Sequence, residues 1–272
     1  MLKTKDYCME VEFYKYQGTG NDFIMIDDRA EVFDINGQPL IEMLCHRRFG
    51  IGADGLILLR NHAEYDFQMI YFNSDGRQSS MCGNGGRCII AFAKFLQVIE
   101  DQCSFMAIDG AHEGKISNGL VSLKMNSVDT VEQLEPNQFF LDTGSPHVVE
   151  FVNQEPASID ILPAAHGIRY NTRFNKEGTN VNFTQVSTNV LDVRTYERGV
   201  ENETYSCGTG VTAVALAAHF SKQVTNQNIA IKTKGGNLEV DFEAKNGSYQ
   251  NIWLKGPAQR VFKGAIHIDD LS

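Results

Sequence analysis

The sequence predicts an α/β protein of the α+β kind, with two pseudo-symmetric lobes. Each lobe is a mainly antiparallel sheet wrapped around a central buried helix. Two observations carry the prediction. Met81-Cys82-Gly83-Asn84-Gly85-Gly86-Arg87-Cys88 leads into an apolar run from Ile89 to Ile99, and Ser206-Cys207-Gly208-Thr209-Gly210 leads into another from Val211 to Phe220. Each reads Cys-Gly-polar-Gly and then a helix that is apolar nearly all round, the pattern of a helix inside a core. The two lead cysteines stand close to half of the 272-residue chain apart, which fits two similar lobes.

The length allows one large domain or two ordinary ones. Apolar residues make up 42% and charged residues 21%, a globular balance. A net charge of −10 argues against a nucleic-acid partner or an anionic membrane surface. No apolar run approaches the roughly 20 residues that span a bilayer. Residues 1–13 mix charges with apolar side chains and lack a signal-peptide core. A cytoplasmic location is therefore expected, with Cys8, Cys45, Cys82, Cys88, Cys103 and Cys207 as free thiols.

In chain order, Val11–Tyr16 and Phe23–Ile26 read as strands joined at Gly18-Thr19-Gly20-Asn21. That loop lacks the third glycine of a dinucleotide site, so it reads first as a turn. Ile41–Phe49 has helical spacing, with Gly50 as its stop. Leu56–Leu59 and Tyr65–Phe72 read as buried strands, and Asn73-Ser74-Asp75-Gly76 as a turn. Cys103–Met125 is strand-like, with Asn118-Gly119 as a hairpin signal. Phe139–Val149 reads as strand, turn and strand, with His147 just past the turn. Asn153–Gly167 is a polar connection or a short helix. Further strands are read at Gly178–Phe183, Val190–Tyr196, Ile229–Thr233, Asn237–Phe242 and Asn251–Lys255. The polar stretch 126–137 separates the halves. The expected lobes are residues 1–128 with Cys82 and 129–257 with Cys207, with 258–272 returning to the first lobe.

The repeated motif has a chemical reading. Inverting an amino-acid α-carbon without an electron sink needs a base on one face and an acid on the other. A thiolate and a thiol suit this, because a helix N-terminus lowers a cysteine's pKa. Its first-turn N–H groups can also hold the carboxylate on which charge develops. No lysine or phosphate cradle marks a pyridoxal site, so no cofactor and no metal are expected.

The same segments carry a resemblance. Gly18-Thr19-Gly20-Asn21-Asp22-Phe23, Gly50-Ile51-Gly52-Ala53-Asp54-Gly55, Phe72-Asn73-Ser74-Asp75-Gly76 and the first cysteine motif resemble the diaminopimelate epimerase family. So do Gly144-Ser145-Pro146-His147, Gly178-Thr179-Asn180-Val181, Tyr196-Glu197-Arg198-Gly199, the second cysteine motif and Gly256-Pro257-Ala258. The resemblance implies a cofactor-independent epimerase that interconverts LL- and meso-diaminopimelate in lysine and peptidoglycan synthesis. It makes Cys82 and Cys207 the acid/base pair. Gly83, Asn84, Gly85, Gly208 and Thr209 would hold the reacting carboxylate and amine. Asn21, Asn73, Asn180, Glu197 and Arg198 would hold the substrate, mainly its distal end, while His147 and Glu197 would tune the thiols. The expected partners are the small-molecule substrate and a second copy of the chain in a homodimer. The segment Gly199–Ser206 is one residue longer than the commonest family form.

Rival readings remain open at this point. One is a proline or hydroxyproline racemase-like enzyme of the same fold, although position 84 here is Asn rather than the His of those motifs. A non-catalytic amino-acid-binding protein is another. A zinc or redox protein is a third, but Cys82-x₅-Cys88 fits zinc spacing poorly. Arg87 reads as a first-turn surface residue, and His147 taken alone as a structural hydrogen-bonder.

Overall fold

The computed structural model describes residues 10–188 and 190–268. Cys8 lies outside the described residues. In chain order the elements are β1 (Glu10–Gly18), β2 (Asn21–Asp27), α1 (Gln38–Cys45), β3 (Gly55–Arg60), β4 (Phe67–Asn73), α2 (Gly83–Phe95) and β5 (Gln102–Ala107). Then follow β6 (Gly110–Ser117), β7 (Leu120–Lys124), β8 (Glu132–Glu135), β9 (Gln138–Asp142), β10 (Pro146–Phe151), α3 (Ile161–Arg169), β11 (Asn180–Ser187) and β12 (Val190–Glu197). The last are β13 (Asn202–Thr204), α4 (Gly208–Phe220), β14 (Asn228–Thr233), β15 (Gly236–Lys245), β16 (Ser248–Gly256) and β17 (Gln259–His267).

The chain divides into two compact units. One holds residues 10–18, 22–113 and 258–268, and the other 19–21 and 114–257. The division after Glu113 differs from the expected boundary near residue 128. The cause is pairing at long range: β7 zips antiparallel onto β16, with Leu123 opposite Leu254, so the β6–β7 hairpin goes with the second unit. Residues 258–268 count with the first unit, where β17 runs antiparallel to β1.

Each unit repeats one pairing order. In the first, β1 pairs with β2, β2 runs parallel to β3 across α1, β3 is antiparallel to β4, and β4 is parallel to β5 across α2. In the second, β9 is antiparallel to β10, β10 is parallel to β11 across α3, β11 is antiparallel to β12, and β12 is parallel to β14 across α4. The sheets are thus mainly antiparallel, with two parallel steps in each unit. Parallel neighbours need a crossover, and a helix supplies it.

The two cysteine-led helices fill the cores. In α2 and in α4, ten of thirteen residues are buried, too many for a one-faced surface helix. α2 packs on β1, β3 and β17, while α4 packs on β9–β12 and β14–β16. Gly85 lies against the strands, where an added Cβ would stand 3.1 Å from Ile57 Cδ1. The last turn of α2 emerges instead: Phe95 is exposed, with the Arg260 guanidinium 4.4 Å from its ring centroid. The helix ends there because Gln97 takes φ 59°, and Ile99 reaches the core from the following turn.

α1 is shorter than its apolar spacing predicts. Pro39 marks its first turn. After Cys45 the His46 ring accepts the backbone N–H groups of Arg48 and Phe49 and turns the chain aside. Phe49, read as helical, stacks on His46 and faces solvent. Gly50 closes back on the helix end, where a side chain would strike the Met43 carbonyl.

Candidate active site

Each unit contributes a cysteine at the N-cap of its central helix. Cys82 is extended at φ −95°, and its carbonyl accepts the Gly86 N–H at 2.7 Å. Cys207 is extended at φ −115°, and its carbonyl accepts the Val211 N–H at 2.9 Å. Each thiol therefore sits where first-turn N–H groups receive no bond from within the helix and the macrodipole is positive.

Around Cys82, the segment before the helix is anchored by Met81 N–H donating to Asp109 Oδ1 at 3.2 Å. Cys82 is half-buried and Asn84 fully buried. Arg87 is not a surface residue: it is 0% exposed, the largest fully buried side chain of the described residues. Its guanidinium donates to Gly83 O at 3.2 Å and to Asn84 Oδ1 at 3.0 Å. The sequence carried a signal for this, because a helical side chain leans back over the turn before it. Gly18 of β1 passes so close to this turn that a Cβ there would sit 3.1 Å from Asn84 O.

Around Cys207 the neighbours differ. The Glu197 carboxylate hydrogen-bonds the thiol, and the Gly210 N–H and Thr209 hydroxyl also address the sulfur. Thr209 Oγ1 lies 3.4 Å from Sγ. Burial pushes this thiol well above its ordinary value, and Glu197 adds to the rise against the smaller opposing pull of Thr209 and Gly210.

His147, on β10, is fully buried. Asn182 Nδ2 donates to its Nδ1 at 3.1 Å, and Thr195 in turn donates to Asn182 Oδ1 at 2.9 Å. The His147 Nε2–H then donates to Thr209 Oγ1 at 2.9 Å. Burial, helped by the nearby Arg198 charge, pushes the ring down to about 3. His147 is thus neutral, and its ring bonds the Thr209 hydroxyl that lies against the cysteine sulfur. Thr143 holds the same loop by donating to Thr209 O at 2.9 Å. Thr143, Asn182 and Thr195 escaped the sequence reading. All three lie on, or directly after, strands named for their apolar alternation.

The remaining expected residues fall as follows. Asn21 opens β2 beside the two-residue turn at Thr19 and Gly20, both with positive φ. Asn73 is exposed at the end of β4. Asn180 is buried, donates to Ser145 Oγ and Pro146 O, and accepts the Arg198 N–H at 2.9 Å. Arg198 is exposed, and its side chain donates to Glu177 O. The longer segment after it forms the tight β12–β13 hairpin. Glu201 pins that hairpin by accepting from Tyr196 Oη at 2.7 Å, Tyr170 Oη at 3.0 Å and Arg169 at 3.2 Å. Gly210 is glycine because Asn182 Oδ1 occupies the place of a side chain. Among the described residues no three His, Cys, Asp or Glu side chains are gathered as a metal-ligand set.

This fold occurs in solved structures. A PhzF-family phenazine biosynthesis protein from Bacillus anthracis matches with TM-score 0.73 at 13% identity, over 95% of this chain and 99% of that one. A hydroxyproline epimerase from Agrobacterium vitis matches with TM-score 0.68 at 14% identity, over 97% and 94%. The class defined is therefore the mixed α/β fold, mostly sheet, that this chain shares with these proteins. The diaminopimelate epimerase family model matches residues 13–126 and 139–261. The diaminopimelate epimerase of Flavobacterium psychrophilum is 50% identical over 258 residues, 94% of this chain and all of that protein. That of Chlorobaculum tepidum is 39% identical, over 92% of this chain and 98% of that protein. The chain belongs to the diaminopimelate epimerase family, and it is an isomerase.

Proposed function

We propose that the chain interconverts LL- and meso-diaminopimelate by a two-base route, with Cys82 and Cys207 acting on opposite faces of one α-carbon. The observation that carries this reading is the contrast at the two helix N-caps: Cys207 has a carboxylate bonded to its thiol, and Cys82 opens a helix whose first turn carries the buried Arg87 guanidinium on Gly83 O. Toward the LL isomer, the Cys82 thiolate removes the α-hydrogen as a proton. The electron pair left on carbon spreads into the carboxylate. The Cys207 S–H then delivers its proton to the other face. The enzyme is left with a Cys82 thiol and a Cys207 thiolate, which is the form that runs the reaction in reverse.

The rest of the assignment follows the same logic. First-turn donors at Gly83, Asn84 and Gly85 and at Gly208 and Thr209 hold the reacting carboxylate and amine. Arg198 meets the distal carboxylate, aided by Asn21 and Asn73, while Asn180 fixes the Arg198 backbone. Glu197 and His147 act on Cys207 rather than on the substrate. Neither a cofactor nor a metal takes part in the steps written here. A cytoplasmic homodimer is the form we propose; the five described cysteines are free thiols, in keeping with a reducing compartment.

The test is α-deuterium incorporation in deuterated water, with LL-diaminopimelate and, separately, with proline. Exchange into diaminopimelate alone is expected, and its loss in Cys82→Ala and Cys207→Ala. Exchange into proline instead, tight binding without exchange, or near-normal turnover in either variant would overturn the reading.

A further inference from the structure

A buried amide stands beneath the second thiol. Asn182, on β11, is fully buried, and its orientation is settled by a partner that can play only one part. The Val148 carbonyl can only accept, and it lies 3.0 Å from Asn182 Nδ2. Turned over, the amide would set its oxygen against that carbonyl oxygen, two acceptors with no hydrogen between them. On the other side of the amide, the Thr195 hydroxyl donates to Oδ1 at 2.9 Å. The second Nδ2 hydrogen goes to His147 Nδ1 at 3.1 Å. Gly210 leaves the room for this: a Cβ there would stand 2.5 Å from Asn182 Oδ1 and 3.3 Å from His147 Cε1.

From this geometry we infer that Asn182 is a positioning residue: its amide fixes the His147 hydrogen on Nε2 and so turns the hydrogen of the Thr209 hydroxyl onto the Cys207 sulfur. The inference rests on the two-thiol reading above and deepens it. The steps follow from counting hydrogens. A neutral imidazole carries one hydrogen on two nitrogens, so an Nδ1 that accepts leaves it on Nε2. Nε2 lies 2.9 Å from Thr209 Oγ1 and donates to it. The hydroxyl then has its own single hydrogen to give, and Cys207 Sγ lies 3.4 Å away. When the Cys207 S–H delivers its proton to carbon, the sulfur is left negative in a buried site. A hydrogen bond from Thr209 strengthens as that charge develops. Thr209 keeps its hydrogen throughout, so the chain of bonds moves no proton. It supports the charge that the proton leaves behind, in the opposite sense to Glu197, which raises the thiol.

The neighbouring groups leave this arrangement intact. Asn180 Nδ2 is 3.4 Å from Nε2, but its two hydrogens go to Ser145 Oγ at 2.9 Å and Pro146 O at 3.0 Å. Glu197, on β12, bonds the thiol, and the Arg198 charge next to it acts on the ring against protonation. The histidine on α4 itself, His219, lies in the last turn and bonds Tyr249 Oη of β16. From β9 and β10, Asp142 accepts the Gly144 N–H and Glu150 accepts from Gln138. Asp192 of β12 pairs with Lys232 of β14, and Glu239 of β15 with Lys255 of β16.

The experiment is nitrogen NMR of the histidine rings in the intact chain without substrate, with His147 assigned by the loss of its signals in His147→Asn. At neutral pH the ring should show a bare Nδ1 and a protonated Nε2. Asn182→Asp keeps the shape but loses the NH₂, so it should put a hydrogen on Nδ1. A second readout is the rate of Cys207 alkylation by iodoacetamide at one fixed pH, followed by peptide mapping. Thr209→Val should lower that rate by about tenfold, the effect of one lost hydrogen bond to a charged sulfur, and Thr209→Ser should restore it. An Nδ1–H ring or an imidazolium in the unaltered protein overturns the inference, a result that needs no variant to fold. So does a bare Nδ1 in folded Asn182→Asp, or an unchanged rate in folded Thr209→Val. None of these readouts needs turnover. An Nδ1–H ring beside a dead Cys82→Ala overturns the Asn182 inference alone, whereas near-normal turnover in Cys82→Ala overturns the two-thiol reading alone.

Discussion

The two central helices begin alike and are charged oppositely. Both open on an extended cysteine followed by glycine, a polar residue and glycine, and both bury ten of thirteen residues. Yet α2 carries a buried guanidinium over its first turn, and α4 has a carboxylate bonded to its thiol. The repeat supplies two equivalent helix N-termini, and two neighbouring side chains make them unequal. A reaction that needs one proton acceptor and one proton donor needs that inequality. The glycines add a second lesson. At Gly85 and Gly210 a side chain would meet Ile57 and Asn182 of the neighbouring strands, so packing within each unit already calls for glycine there.

The sharpest way to break the comparison is to remove each sulfur. Cys82→Ala and Cys207→Ala should each lower turnover on the order of 10⁴-fold with the fold intact, checked by circular dichroism and α-hydrogen exchange. Unequal losses would mean that only one helix end does the chemistry. The next test removes the asymmetry at α4. Glu197→Gln should lower the Cys207 alkylation midpoint, because the carboxylate raises it, and cut kcat by roughly 10²-fold.

A smaller effect concerns His147. Its folded value of about 3 lies below the ordinary 6.5, so the unfolded chain binds the extra proton first. Its contribution to stability is complete above about pH 6.5 and is lost as pH falls toward 3, up to a few kcal/mol. His147→Asn should therefore show a shallower fall in Tm than the unaltered protein as the buffer is taken from neutral to acid. A parallel fall would mean that the ring is not held neutral. The smallest effect is at Glu201. Glu201→Ala should cost about 1–3 kcal/mol in urea unfolding and raise KM more than it lowers kcat, since it steadies the turn that bears Arg198.

Strands were legible because alternation and Asn-Gly signals are local. Asn118 and Gly119 both take positive φ, as a two-residue hairpin turn requires. The central helices were legible because their apolar residues leave no polar stripe. What stayed hidden depends on partners far away in the chain. The unit boundary follows from β7 meeting β16, which no window around residue 128 contains. The early end of α1 turns on a histidine ring accepting backbone N–H groups, while Phe49 extends the apolar spacing past it. The three-residue β13 is too short to show alternation. At the site, the cysteines were legible from their duplication. The tuning role of Glu197 was legible only through the family resemblance, not from local spacing, because its reach to Cys207 depends on how the β12–β13 hairpin folds.

The zip of β17 onto β1, with Val11 opposite Ile266 and Phe13 opposite Gly264, bears on the order in which the protein is made. On the ribosome, residues 114–257 emerge as one continuous block that carries nearly all of its own sheet. The half with Cys82 appears earlier but lacks an edge strand until synthesis reaches residue 259. The later-made half is thus the first able to complete itself. The earlier-made half must wait with the β17 edge of β1 unpaired, and an unpaired strand edge is what makes a nascent chain need a chaperone.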